Sequence, residues 1–199
     1  YPSEIHEEAA RLIGRAFVSY LDAKRIAVSR DMRVSSPGVA AAFIEGALEQ
    51  GADVVDYGMA GTDMLYFAVV RDGLDGGAQI TASHNPKEYN GIKMVRREAF
   101  PLSGDAGIGD IREMVTGGSL PAPARPRGRV ETRDMLADYV RTVMGFIDPG
   151  AIQPFNVVLD AGSGMAGLVA PRLFDQLPCR TTRLCFEIDG TFPNHEANP

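Results

Sequence analysis

The residues best equipped for chemistry fall in one short stretch. Ser83 and His84 stand side by side, Asn85 and Pro86 follow, and Lys93 comes ten positions after the serine. Two guanidinium groups, Arg30 and Arg33, precede them, and the planar fork of donors on arginine suits a phosphate. A hydroxyl beside an imidazole suggests nucleophilic catalysis. Neighbours on an extended chain, however, point to opposite sides, and no Gly-x-Ser-x-Gly elbow is present, which argues against a hydrolase. Serine, asparagine and proline are also ordinary turn residues, and composition alone reads the stretch as a turn. Farther on, Gly162-Ser163-Gly164-Met165-Ala166-Gly167 has the glycine spacing of a dinucleotide-binding turn between strand and helix. Such a site needs an acidic residue about 20 positions on, for which Glu187 is the nearest candidate and comes somewhat late.

These groups need rigid support, and the periodicity supplies it. Ile5, Ala9, Leu12, Ile13, Ala16, Phe17 and Tyr20 share one face of a helix over 3–20, with Ser3 as its expected cap. A strand at 25–29, a helix opened by Ser36-Pro37 and stopped at Gly51, a strand at 54–57 and a helix over 62–70 follow. The strand 78–81 then delivers the Ser83 loop, 91–95 reads as a further strand and 107–116 as a helix. Alternation of this kind predicts strands buried between helices, with functional loops at the strand ends. Gly117-Gly118 and the Pro-rich run 121–128 interrupt the pattern, as a connector would. The expected domains are therefore 1–128 and 129–199. The second holds a helix from Met135 to about Pro149, a strand at 156–160, a helix over 166–176 and a strand at 181–186.

The run Thr81-Ala82-Ser83-His84-Asn85-Pro86-Lys87-Glu88-Tyr89-Asn90-Gly91-Ile92-Lys93 closely resembles the phosphoserine loop of the α-D-phosphohexomutase family. Ser29-Arg30-Asp31-Met32-Arg33 resembles that family's Gly-Arg-Asp-x-Arg segment, with serine in place of glycine. Gly58 to Tyr66, Asp160 to Gly167 and Asp189 to His195 extend the likeness over nearly the whole chain. The resemblance implies an α/β fold: a three-layer α/β/α domain with a mixed sheet, followed by part of a second, similar domain. It also implies that Ser83 carries a phosphoryl group between hexose 1-phosphate and hexose 6-phosphate through a hexose bisphosphate intermediate. Lys93 and His84 would be its catalytic companions, and Arg30, Arg33 and Asn85 would bind substrate or phosphate; alternatively Arg30 and Arg33 pair with Asp31 and local carboxylates to brace the loop. The implied cofactor is Mg²⁺, held by the Ser83 phosphate and by an Asp-Gly-Asp-Gly-Asp-Arg loop expected beyond Pro199. The 199 residues alone are therefore expected to have no turnover. Tyr89 resembles phosphomannomutase and phosphoglucomutase members more than glucosamine-phosphate ones. In the family, the glycines at 162–167 form a structural turn rather than a nucleotide site.

Composition narrows the field further. With 45% apolar and 23% charged residues the chain has the makeup of a globular protein. A net charge of -6 argues against nucleic acid or anionic lipid as a partner. No run approaches the roughly 18 apolar residues of a membrane span, and the first residues lack a leader pattern, so a cytoplasmic setting is expected. Cys179 and Cys185 fit no metal knuckle and read as packing residues, as do Met32, Met59, Met64 and Met94. His195, beside Asn194 and Glu196, reads as a surface or turn residue because His6, His84 and His195 lack ligand spacing. Oligomeric state is left open.

Overall fold

A computed structural model describes residues 3, 5–104, 106–194 and 196. Four parallel strands and one antiparallel strand form the main sheet, in the order β4-β3-β1-β2-β5. They are β1 (Arg25–Arg30), β2 (Asp53–Met59), β3 (Gly76–Ile80), β4 (Ile92–Arg96) and β5 (Val130–Thr132), with β4 antiparallel to β3. Central strands covered on both faces need apolar residues at successive positions rather than alternation. Ile26, Ala27 and Val28 of β1, and all of β3, are accordingly buried.

Helices α1 (Glu7–Leu21), α2 (Ser36–Glu49) and α4 (Ile108–Thr116) pack on one face with Ile26, Val28, Val54 and Ile80. On the other face α3 (Thr62–Arg71) and α5 (Leu136–Met144) enclose Ala27, Val55, Tyr57 and Val95. The architecture is the expected three-layer α/β/α sandwich with a mixed sheet. A second parallel pair, β6 (Asn156–Asp160) and β7 (Arg180–Leu184), is linked by α6 (Ala166–Phe174) and begins a similar unit. Leu168 and Val169 of α6 rest against the α3 core of the first unit. Among the described residues no helix is long and apolar enough to cross a membrane.

Two details differ from the sequence expectation. Helix α1 starts at Glu7, and His6, not Ser3, caps it, its Nδ1 accepting the Ala9 amide at 3.2 Å. The 121–128 run does not leave the first sheet behind: Val130–Thr132 returns to pair with β2. That run lies along the C-terminal ends of α1 and α2, with Ala124 and Gly128 amides donating to the Glu49 and Leu48 carbonyls. Gly128 is pressed so closely on the Ala52–Asp53 backbone that no Cβ fits.

α1 and α2 cross with glycine at the contact on both sides. A Cβ on Gly14 would collide with the Phe43 carbonyl, and one on Gly46 with the Arg11 carbonyl. This brings Phe17 and Phe43 to 5.8 Å between ring centroids.

Candidate functional site

The site grows from the carboxyl ends of β1 and β3, at the centre of the sheet, where α/β folds place their ligands. After β3 the chain makes an excursion from Thr81 to Gly91 and returns as β4, closed by the Thr81 amide donating to the Gly91 carbonyl at 2.9 Å. Ser83 lies exposed within it at φ +56, a left-handed conformation rarely adopted by residues other than glycine. The Thr81 hydroxyl accepts the Ser83 amide at 2.9 Å and donates to Asp31 at 2.7 Å. Asn85 turns its side-chain amide back on the Ala82 carbonyl at 2.9 Å. Asn90 donates to the Ser35 and Ser36 hydroxyls at 2.8 and 3.0 Å, tying the loop to the start of α2.

Arg33 fills the inside of the loop. Its side chain is fully buried, and its Nε donates to Asp31 at 3.1 Å. Nη1 donates to the carbonyls of Pro86 and Tyr89, and Nη2 to those of Ser83 and Asn85, at 2.7 to 3.1 Å. All five N–H groups of the guanidinium are thereby used, which leaves none for the phosphate expected of Arg33. Asp31, itself 4% exposed, is the hub: it also accepts the Arg33 amide at 3.0 Å and the Ser36 hydroxyl at 2.5 Å. Below it, the Gln79 amide donates to the Ala60 carbonyl at 2.8 Å, and its oxygen accepts the Ser29 hydroxyl. The serine that stands where the resembled family has glycine thus closes a buried polar pair.

A cleft of about 930 Å³ opens above this floor, between the two units. Ser83, His84 and Lys93 line it together, facing Asp160, Gly162 and Gly164 of the second unit and Asp63 at the start of α3. Of the expected site residues, Arg30, Arg33 and Asn85 are not in its wall. Ser83 and His84 both line the cleft, and the left-handed backbone at Ser83 departs from the extended chain on which neighbours alternate. Among the described residues no hydrogen bond joins them, and Lys93 is exposed with no carboxylate partner. Tyr139 of α5 donates its hydroxyl to Asp63, and burial together with that carboxylate pushes the phenol's pKa well above its ordinary value.

The turn at 162–164 does not supply the amides that a pyrophosphate needs. Gly162, Ser163 and Gly164 donate in succession to the Asp160 carboxylate and to the Cys185 and Ala161 carbonyls, at 2.8 to 2.9 Å. Gly167 is explained by packing, since a Cβ there would lie 2.5 Å from the Phe186 carbonyl oxygen. This geometry goes against the rival nucleotide-site reading of 162–167. Both cysteines are free and half-buried, and His195 lies outside the described residues.

Residues 1–119 match the family model described as phosphoglucomutase/phosphomannomutase, alpha/beta/alpha domain I. The chain belongs to this family. A phosphomannomutase of Salmonella typhimurium is 38% identical over 203 residues, covering 98% of this chain and 44% of its own length. A protein named for phosphohexose mutases in Xanthomonas campestris is 36% identical over 198 residues, covering all of this chain and 44% of its own. A solved phosphoglucomutase/phosphomannomutase family protein from Burkholderia thailandensis superposes with a TM-score of 0.85 at 37% identity, over 96% of this chain and 42% of that one. The chain thus spans less than half the length of the relatives it matches.

The family resemblance implies a metal ion beside Ser83. Among the described residues no three His, Cys, Asp or Glu side chains come together to hold one. Asp31 is spent on Arg33, Ser36 and Thr81. The cleft wall offers the Ser83 hydroxyl and separate carboxylates such as Asp63 and Asp160, and the other Mg²⁺ ligands that the resemblance implies are expected beyond Pro199.

The pairing of Arg33 with Asp31 beneath the loop is the bracing alternative read from the sequence, whereas Thr81, Gln79 and Asn90 were passed over as site-builders. The available signal was polarity in the wrong place: a glutamine inside an otherwise apolar strand, and a threonine at the end of a buried strand. Buried polar groups are nearly always partnered.

Proposed function

We propose that this chain is the phosphoryl-carrying part of a hexose-phosphate mutase, interconverting hexose 1- and 6-phosphates of the mannose or glucose type. The observation that carries the reading is the cleft, in which Lys93 of β4 stands with Ser83 and His84, these two on a loop fixed from beneath by Arg33 and Asp31. Family membership and the names of the relatives support the same class of reaction.

In this reading Ser83 carries the phosphoryl group in the resting protein. The Ser83 Oγ–P bond breaks as a sugar hydroxyl oxygen bonds to phosphorus, and the hydroxyl proton passes to the departing side. The bisphosphorylated sugar turns around and returns its other phosphoryl group to Ser83. Such transfer depends mostly on positioning and on neutralising charge. Lys93, which has no carboxylate partner among the described residues, faces the transferring group from β4. His84 borders the same space. Mg²⁺ would add further charge neutralisation when bound, with the Ser83 phosphate as this chain's contribution to it. In this reading residues 1–199, which span 44% of the length of the Salmonella typhimurium relative, are expected to show no turnover by themselves.

Intact-mass and peptide analysis of the intact protein tests this directly. One phosphoryl group is expected on Ser83 after treatment with hexose bisphosphate and none in Ser83→Ala. Phosphorylation that persists in the variant, or mutase turnover by the variant at the wild-type rate, would overturn the assignment.

A further inference from the structure

Four backbone carbonyls of one loop converge on one buried guanidinium, and that has a consequence on the loop's other edge. A peptide unit is planar and trans, so its C=O and the N–H of the next residue point in opposite directions. The Ser83 carbonyl is held by Arg33 Nη2 at 2.9 Å. The N–H of His84 belongs to the same peptide unit and so points away from Arg33. The Pro86 carbonyl, held by Nη1 at 2.7 Å, turns the Lys87 N–H outward in the same way. Among the described residues neither of these two amides has an acceptor, whereas the amides of Ser83, Asn85 and Tyr89 are all satisfied within the loop.

Two further contacts fix the guanidinium itself. Asp31 holds Nε and the Arg33 amide from below. From the second unit, the Phe192 ring lies 5.5 Å from the guanidinium carbon, and Gly190 sits so close to the Met32 carbonyl and Arg33 Cα that no side chain fits between them. A cation held over a ring is attracted to its face, so Arg33 is clamped between the two units and cannot follow a wandering loop.

We propose that Arg33 is a positioning residue whose engagement of the loop carbonyls aims the His84 backbone amide at the phosphoryl group on Ser83, making that amide a phosphate donor. The proposal rests on the reading of Ser83 as phosphoryl carrier and assigns to Arg33 a role other than binding phosphate itself. Arginine is required for it, because five donors in a rigid fork serve four carbonyls and a carboxylate at once, while lysine has three donors on a flexible stem.

The test uses the intact protein, ¹⁵N-labelled, with Ser83 loaded from hexose bisphosphate and compared with the dephosphorylated form. The His84 amide proton is expected to move downfield on loading. Loaded Ser83 with an unshifted His84 amide would overturn the proposal alone, whereas failure to load Ser83 would sink the carrier reading beneath it. Kinetics of Arg33→Lys supply the second arm. A fall in kcat of about a hundredfold is expected, the order of losing one aligned donor, with KM for the hexose phosphate nearly unchanged. A raised KM at wild-type kcat would mean that Arg33 grips the substrate and would refute the positioning role. If Arg33→Lys fails to fold, the amide shift in the wild-type protein decides.

Discussion

Replacing Asp31 by asparagine isolates the electrostatic part of the loop's foundation. The substitution keeps shape and one accepting oxygen, so the Ser36 hydroxyl and the Arg33 amide retain a partner. The other oxygen becomes an NH₂ group facing Arg33 Nε, 3.1 Å away, and the Thr81 hydroxyl, 2.7 Å away. Donor then meets donor, and a guanidinium with a fully buried side chain is left without its counter-charge. Breaking a buried pair from one side costs about 3–5 kcal/mol, and a lost neutral hydrogen bond about 1 kcal/mol more. The four carbonyls still solvate the cation, which argues for the lower part of that range, about 3–4 kcal/mol. At about 2–4 °C per kcal/mol for a protein of this size, the melting temperature falls by roughly 6–16 °C. The assay is urea and thermal unfolding, with Asp22→Asn as a control, because the Asp22–Lys24 pair is exposed and exposed pairs contribute at most about 1 kcal/mol. A decisive companion is the double variant Asp31→Asn with Arg33→Met, which removes the stranded charge and should be more stable than Asp31→Asn alone. A loss below about 1 kcal/mol in Asp31→Asn, or a double variant less stable than both single ones, would refute the reasoning.

Gly46→Ala gains about 1 kcal/mol of helix propensity, but its Cβ would lie 2.8 Å from the Arg11 carbonyl carbon. Overpacking of about 3 kcal/mol should win, and a thermal melt that rises instead of falling would contradict the reported helix crossing. Asp72, bound by Arg71 and the Tyr57 hydroxyl and 12% exposed, has its carboxyl lowered to about 2, with the Arg71 hydrogen bond the main cause. The folded form holds its proton less tightly than the unfolded one, so this contribution is full above about pH 4 and disappears as pH falls towards 2, at about 2 kcal/mol in all. Asp72→Asn should flatten that acid limb, and an unchanged limb would remove Asp72 from it. Lys93→Ala in the intact protein should lower kcat by about a hundredfold or more if its charge meets the transferring phosphoryl group. Turnover within about threefold of wild type would exclude that role.

Much of the fold was legible because central parallel strands must be apolar throughout. Ile26-Ala27-Val28 and Val54-Val55 announce themselves, and helices such as 62–71 follow from apolar spacing. β5 was not legible: Val130, Glu131 and Thr132 are all exposed, and only pairing with β2 makes them a strand. The α1 cap was misjudged because Ile5 continues the helical spacing past the true start, and periodicity cannot tell a helical residue from one just before it. In the site, the pattern from Thr81 to Lys93 singled out the three residues that share the cleft. The pairing of Arg33 with Asp31 was legible as a loop brace, but its other partners were hidden, since they lie some fifty residues on and are carbonyls, which every residue has.

The pairing of Val130–Thr132 with β2 sets a limit on how the first unit can be isolated. A polypeptide ended at Gly128 would keep every helix up to α4 and lose its outermost strand. The Val54 amide, now donating to the Arg129 carbonyl, would be stranded, and so would the remaining ladder groups of β2. An uncovered edge of parallel sheet seeks another edge. Such a polypeptide should self-associate through β2, whereas one carried through Thr132 keeps that edge closed by its own chain.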